Sequence, residues 1–232
     1  MAFDDYDEYE QSEQVRKWLR ENGLSIAIGV VLALALIFGW RQWQAHRAGH
    51  HAEAAEQYAA LDAAQASGQD AKMDVAVNAL EKDFADTPYA ALGAAVRASV
   101  AVSQGKLDDA HKALQWAVDH SPTAALHDLY QLRLARVELA QNQAKSALAL
   151  LDGIPGDAYR ATAQELRGDA LLKLDRGNDA RAAYANALAA LPDSAAPGLR
   201  DTLQMKLDNL AQAGSQTAAS AATTTPPGKQ GT

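Results

Sequence analysis

From Leu24 to Trp40 the chain reads LSIAIGVVLALALIFGW, seventeen residues without a charge and apolar on every face of any helix they form. At 1.5 Å per residue such a helix is about 25 Å long, close to the ~27–30 Å hydrocarbon layer of a bilayer. Trp18 precedes the run, Trp40 closes it and Trp43 follows, placing indoles where the two headgroup layers favour them, and Arg41 ends the apolar stretch abruptly. The pattern predicts one transmembrane helix over 24–40, surrounded by lipid. A core helix of an amphipathic, alanine-rich domain keeps a polar stripe, and a cleaved leader is followed by small residues rather than by Trp40, Arg41, Gln42 and Trp43. Both of those readings fit less well.

Beyond residue 50 the pattern changes to amphipathic stripes of helical period separated by short polar breaks. The spacing predicts helices at about 52–67, 71–86, 88–104, 107–120, 124–141, 144–152, 157–174, 177–190 and 197–212. Internal periodicity joins them into pairs. Gly168, Ala180, Tyr184, Ala187 and Pro192 resemble the tetratricopeptide pattern, and the frame recurs at Ala98, Ala110, Leu114, Ala117 and Pro122. It appears again at Ala135, Ala147, Leu151, Ile154 and Pro155, with a degenerate first copy at Ala76, Leu80 and Pro88. Small residues at Gly168 and Ala180 let two helices of a hairpin approach, Tyr184 and Ala187 bury a face, and proline stops the second helix. The expected fold is all-α, a single transmembrane helix followed by a tetratricopeptide-like solenoid of about four hairpins. The helix around Leu199, Leu203, Met205, Leu207 and Leu210 is expected to cover its open end.

The resulting organisation is a short acidic segment (1–23), the span (24–40), a juxtamembrane connector (41–51), the repeat domain (52–212) and a tail (213–232) too poor in apolar side chains to hold a fold. Composition agrees. Of 232 residues 53 are alanine and only 6% aromatic, which suits close-packed helices and supports sheets poorly. The net charge of −8 argues against a nucleic-acid partner, and the absence of cysteine rules out disulfides and thiolate chemistry. Residues 1–23 carry seven acids against Arg16, Lys17 and Arg20. Because acids count little in the positive-inside rule, those three bases against Arg41 and Arg47 favour a cytoplasmic N-terminus and a repeat domain on the far side of the membrane.

Catalytic chemistry has little to rest on. His46 and His50 share a helical face and His51 follows, but no acid completes a metal site, and His111, His120 and His127 have no triad partners in the pattern. There is no glycine-rich phosphate loop and no nucleophile elbow, and Gly153 to Gly156 with Pro155 reads as a turn. No cofactor and no enzymatic activity are expected. What remains is surface: the first helix of each hairpin lines the concave side of such a solenoid, which directs Leu132, Arg136, Leu139, Glu165, Asp169, Leu172 and Lys173 toward a groove for a peptide segment. The leucines among them serve a core equally well.

Glu21-Asn22-Gly23, the span, Gly39-Trp40-Arg41 with Trp43, then Leu132-Arg133-Leu134-Ala135-Arg136-Val137, Leu166 to Leu172 and Met205 to Leu210 closely resemble the YfgM family, ancillary subunits of the SecYEG translocon in Gram-negative bacteria. The likeness covers roughly residues 10–211. It implies a single-pass inner-membrane protein with a periplasmic tetratricopeptide-like domain. The partners it implies are SecYEG, the periplasmic chaperone PpiD and unfolded or nascent secretory proteins leaving the channel. The residues by themselves leave a second role open, an anchored scaffold of a cell-envelope assembly complex.

Overall fold

The computed structural model describes residues 4–155 and 157–223, with side chains over 15–155 and 158–212. The described residues are helical throughout: α1 (Asp4–Ala66), α2 (Asp70–Asp83), α3 (Pro88–Ser103), α4 (Leu107–Asp119), α5 (Ala124–Ala140), α6 (Ala144–Asp152), α7 (Arg160–Lys173), α8 (Gly177–Ala189) and α9 (Pro197–Thr223), with one 3-10 turn at Asp157–Tyr159. They divide into two units at Glu53/Ala54.

In the first unit every large apolar side chain from Leu24 to Trp40 is more than a third exposed, Leu24 and Phe38 by three quarters. A bare apolar cylinder of this length has no place in water, and one helix long and apolar enough to cross a membrane is present among the described residues. The expected connector over 41–51 is not a separate element, because α1 continues through it to Ala66. Residues 41–66 are rich in alanine and contain no proline, and a lone glycine such as Gly49 costs a helix only about 1 kcal/mol.

The second unit is a stack of antiparallel hairpins. Each first helix ends in a left-handed residue, Gly68, Gly105, Asn142 or Asp175, with φ between 58° and 73°. The next residue's N–H then reaches back to the carbonyl five residues earlier: Gln69 to Ala64, Lys106 to Ala101, Gln143 to Glu138 and Arg176 to Leu171, at 2.8–2.9 Å. These turns satisfy the terminal carbonyls and set the repeat. They place Ala98, Ala135 and Gly168 in one register and Ala110, Ala147 and Ala180 in another, as the spacing predicts.

The first copy is the exception. Its turn frame puts Leu61, Met73, Val77 and Leu80 in the places of Ala98, Ala110, Leu114 and Ala117, three residues earlier than the placement on Ala76 and Pro88, and all four are buried. Pro88 misdirected the frame because it does a different job. It opens α3 at a position whose N–H has no helical acceptor, whereas Pro122 and Pro192 lie in loops after a second helix.

Every core is shared by three consecutive helices. Leu61, Val77 and Leu80 pack with Ala90 of α3, and Ala94, Ala98, Leu114 and Ala117 with Tyr130 and Leu134 of α5. Leu132, Ala135, Ala147 and Leu151 meet Leu166 of α7, and Leu171, Ala180 and Tyr184 meet Leu203 of α9. Arginine staples tie alternate repeats: Arg97 donates to Glu81 at 2.9 Å and to Asn78 at 2.7 Å, and Arg167, in the equivalent position, pairs with Asp152. The expected unstructured tail is helical to Thr223, since Ala213, Ala218, Ala219, Ala221 and Ala222 extend α9 and no proline intervenes before Pro226. Its remainder, 224–232, and residues 1–3 lie outside the described residues.

Candidate functional site

Six of the seven residues directed at a groove line one. A cavity of about 600 Å³ lies between the first helices α5 and α7, bounded by Arg136, Leu139, Glu165, Asp169, Leu172 and Lys173. Leu132 is not among them. It is 2% exposed and belongs to the core under α5, the outcome the core reading of that leucine anticipates. A second cavity of about 360 Å³ lies between α3 and α5 over Ala98, Val102, Leu107 and Leu114, and shares Arg136 and Ala140 with the first. The two therefore run along the first-helix face on either side of one arginine. Val102 and Leu172 supply exposed apolar surface, 45% and 44%, at the two ends.

The charges are less free than their positions suggest. Lys206, from α9, donates to Glu165 Oε1 at 2.9 Å and to Asp169 at 2.7 and 3.0 Å, and its ammonium sits 5.3 Å from the Tyr184 ring centre. Tyr184 donates its hydroxyl to Asp169 Oδ1 at 2.7 Å. Burial, the bond to Asp169 and the neighbouring carboxylates hold the phenol protonated far above the usual tyrosine range. For Lys206 burial acts downward, but the two carboxylates outweigh it and the net shift is upward. Lys173 donates to Asn142 Oδ1 at 2.9 Å. Arg133 and Arg136 make no hydrogen bond or ion pair among the described residues, and both are exposed. Lys206 is the residue that sequence reasoning missed. Its only signal is a position opposite Glu165 and Asp169 that exists once α9 is docked.

Where α5 meets α4, Glu138 is 6% exposed, with Oε1 3.4 Å from His111 Nε2 of α4 and Oε2 without a partner among the described residues. Burial raises its carboxyl above the ordinary range, against the opposing bond and charge of His111. A raised acid stabilises the fold fully below its unfolded value and loses that contribution as pH rises through the folded one. Glu138→Gln is thus expected to raise the midpoint of thermal unfolding at pH 8 by about 2–4 °C, for about 1 kcal/mol, with the gain vanishing near pH 4. Melting curves at both pH values check this; a variant less stable at pH 8 means His111 fully compensates the carboxylate.

In the first unit Trp18, Trp40, Arg41 and Trp43 are exposed. Trp40 and Trp43 have ring centres 5.2 Å apart, and the Arg47 guanidinium lies 5.1 Å from the Trp43 ring centre. Along the helix Trp18 and Trp40 are about 33 Å apart, a distance comparable to the thickness of a bilayer's hydrocarbon layer. Among the described residues no group of three or more histidine or acidic side chains is arranged to hold a metal ion.

An apolar helix long enough to cross a membrane and a stack of helical hairpins with a lined groove define a class, the membrane-anchored helical-repeat protein. The family model of a tetratricopeptide repeat-like domain matches residues 16–212. An ancillary SecYEG translocon subunit of Escherichia coli (strain K12) is 33% identical over 205 residues, 88% of this chain and 96% of that protein. Proteins of the same name from Haemophilus influenzae and Aggregatibacter actinomycetemcomitans are 27% and 28% identical, each over 88% of this chain and 98% of the relative. The chain belongs to this family of ancillary SecYEG translocon subunits, built on a tetratricopeptide repeat-like domain. No solved structure matches it significantly.

Proposed function

We propose that the chain is a non-enzymatic accessory subunit of the SecYEG translocon in the inner membrane, its N-terminus cytoplasmic and its repeat domain periplasmic. The span 24–40 anchors it beside the channel, and the groove along α3, α5 and α7 holds a periplasmic chaperone of the PpiD kind and segments of emerging clients. The observation that carries this reading is the groove itself. Exposed apolar and charged side chains from three successive first helices meet along one face, with Arg136 and Ala140 common to both cavities. That arrangement fits an extended or helical segment. The names of the relatives supply the channel as partner.

Purification of the tagged full-length chain from inner membranes in mild detergent tests it. The expected result is co-purification of SecYEG subunits and a membrane-anchored periplasmic chaperone. Leu172→Glu is expected to lose the chaperone while keeping the channel. An envelope-assembly complex without channel subunits overturns the translocon role in favour of the scaffold. Since the chain has no native cysteine, an impermeant maleimide reports the orientation: Ser67→Cys is expected to label from the periplasm, and labelling of Ser12→Cys instead reverses the topology.

A further inference from the structure

Resting on the groove as the partner site, we propose that it selects acidic, aliphatic segments, in which carboxylates alternate with leucine- or valine-sized side chains. The first reason is which charges are committed. Glu165 and Asp169, the acids at the groove, are both held by Lys206 at 2.7–3.0 Å, and Asp169 also accepts from Tyr184. Their lone pairs and charge are directed into the junction of α7 with α9. The groove cations are not neutralised in this way. Arg133 and Arg136 have no hydrogen bond or ion pair among the described residues, and Lys173 is bonded only to the neutral amide of Asn142. Three cations line this strip, and Lys206 behind it offsets the two carboxylates. The strip is therefore locally positive in a chain whose net charge is −8.

The second reason is the placement of apolar surface. Arg133 and Arg136 stand on α5 in the middle of the strip, while Val102 of α3 and Leu172 of α7 are exposed on either side. An occupant that satisfies all four brings carboxylates to the two arginines and aliphatic side chains to Val102 and Leu172, as an alternating segment does. Arginine suits this task, because its planar fork donates two parallel N–H bonds to a carboxylate without first being stripped of a tightly held water shell. A basic segment meets uncompensated like charge at the same place, which makes the groove selective as well as attractive.

The test uses the full-length chain in detergent and two fluorescein-labelled peptides of equal length, one alternating leucine with glutamate and one alternating leucine with lysine, read by fluorescence anisotropy. The glutamate peptide is expected to bind more tightly, with an advantage that shrinks in about 0.5 M salt as screening shortens to a few ångströms. Joint Arg133→Glu and Arg136→Glu substitution is expected to weaken the glutamate peptide by about 10-fold or more and to improve the lysine peptide. Joint Arg133→Gln and Arg136→Gln substitution, checked for an unchanged melting curve, is expected to fall between the two. Lys112→Glu, in the separate cleft lined by α2, α3 and α4, is expected to leave both peptides unaffected. Equal or tighter binding of the lysine peptide to the unaltered chain overturns the acidic preference while leaving the groove as a binding site. Binding of neither peptide overturns the groove reading itself.

Discussion

Gly168→Ala is expected to destabilise the repeat domain by about 3 kcal/mol, although alanine is the better helix former by about 1 kcal/mol. A Cβ built at Gly168 lies 2.3 Å from Tyr184 Cε1, 2.5 Å from Cδ1 and 2.8 Å from Cζ, so a methyl group there coincides with the ring. The ring has nowhere to go. Tyr184 is 1% exposed, packed among Leu171, Ala180, Ala187 and Leu203, and fixed at its far end by the hydroxyl bond to Asp169. The added methyl must therefore separate α7 from α8, the hairpin beneath the groove. Circular dichroism melts of the full-length chain in detergent are expected to show a midpoint lower by about 6–12 °C. Gly93→Ala provides the contrast. Its Cβ meets the end of the Leu80 side chain at 3.0 Å and lies at ordinary contact distance from Leu61 and Val77, 3.6 and 3.9 Å, and the effect is expected to stay within about 1 kcal/mol. Adding Tyr184→Leu to Gly168→Ala is expected to recover part of the loss, because the clash is with the ring. A midpoint at or above that of the unaltered chain overturns this account.

Removal of the cation behind the groove ranks second. Lys206→Met keeps length and volume but leaves Glu165, 17% exposed, and Asp169, 31% exposed, as neighbouring carboxylates with no counter-charge from α9. Removing one partner of a buried pair costs about 3–5 kcal/mol, and partial exposure here reduces the expectation to about 2 kcal/mol. The ammonium's raised folded value means that its contribution is complete below the ordinary lysine range and lost only as pH rises beyond it, so the full deficit is expected at neutral pH. Limited proteolysis is expected to release α9 before the preceding hairpins, since its docking through Leu203, Leu207 and Leu210 then lacks the bridge. If Lys206→Met leaves both the melt and the cleavage pattern unchanged, the bridge is a surface pair of no consequence. The freed carboxylates are also expected to weaken the glutamate peptide, tying the end helix to the selectivity of the groove.

The local sequence carries most of the fold because the interactions that define it are local. The span needs only an uninterrupted apolar run, and helix ends need only a left-handed Gly105, Asn142 or Asp175 followed by a new amphipathic stripe. Repetition of one hairpin makes the rest periodic, and so Gly168, Ala180 and Tyr184 fall in register from their spacing alone. Where one residue type has two uses, the pattern misleads. Pro88 opens a helix while Pro122 and Pro192 follow one, and the frame of the first repeat shifted by three residues on that ambiguity.

The groove was legible as a set and not residue by residue. Along a helix of 3.6-residue period, Leu132 and Leu139 both face the stack, and only the depth of packing decides that Leu132 is sealed in the core while Leu139 borders the cavity. Charge pairing across more than thirty residues is likewise invisible to a local pattern. Sequence alone determined an anchored, all-helical repeat protein with its candidate binding residues on the first helices, because burial period and helix termini are written in short spacings. Only the tertiary structure decided which of those charges are paired within the fold, because Lys206 reaches Glu165 and Asp169 only when α9 closes the stack.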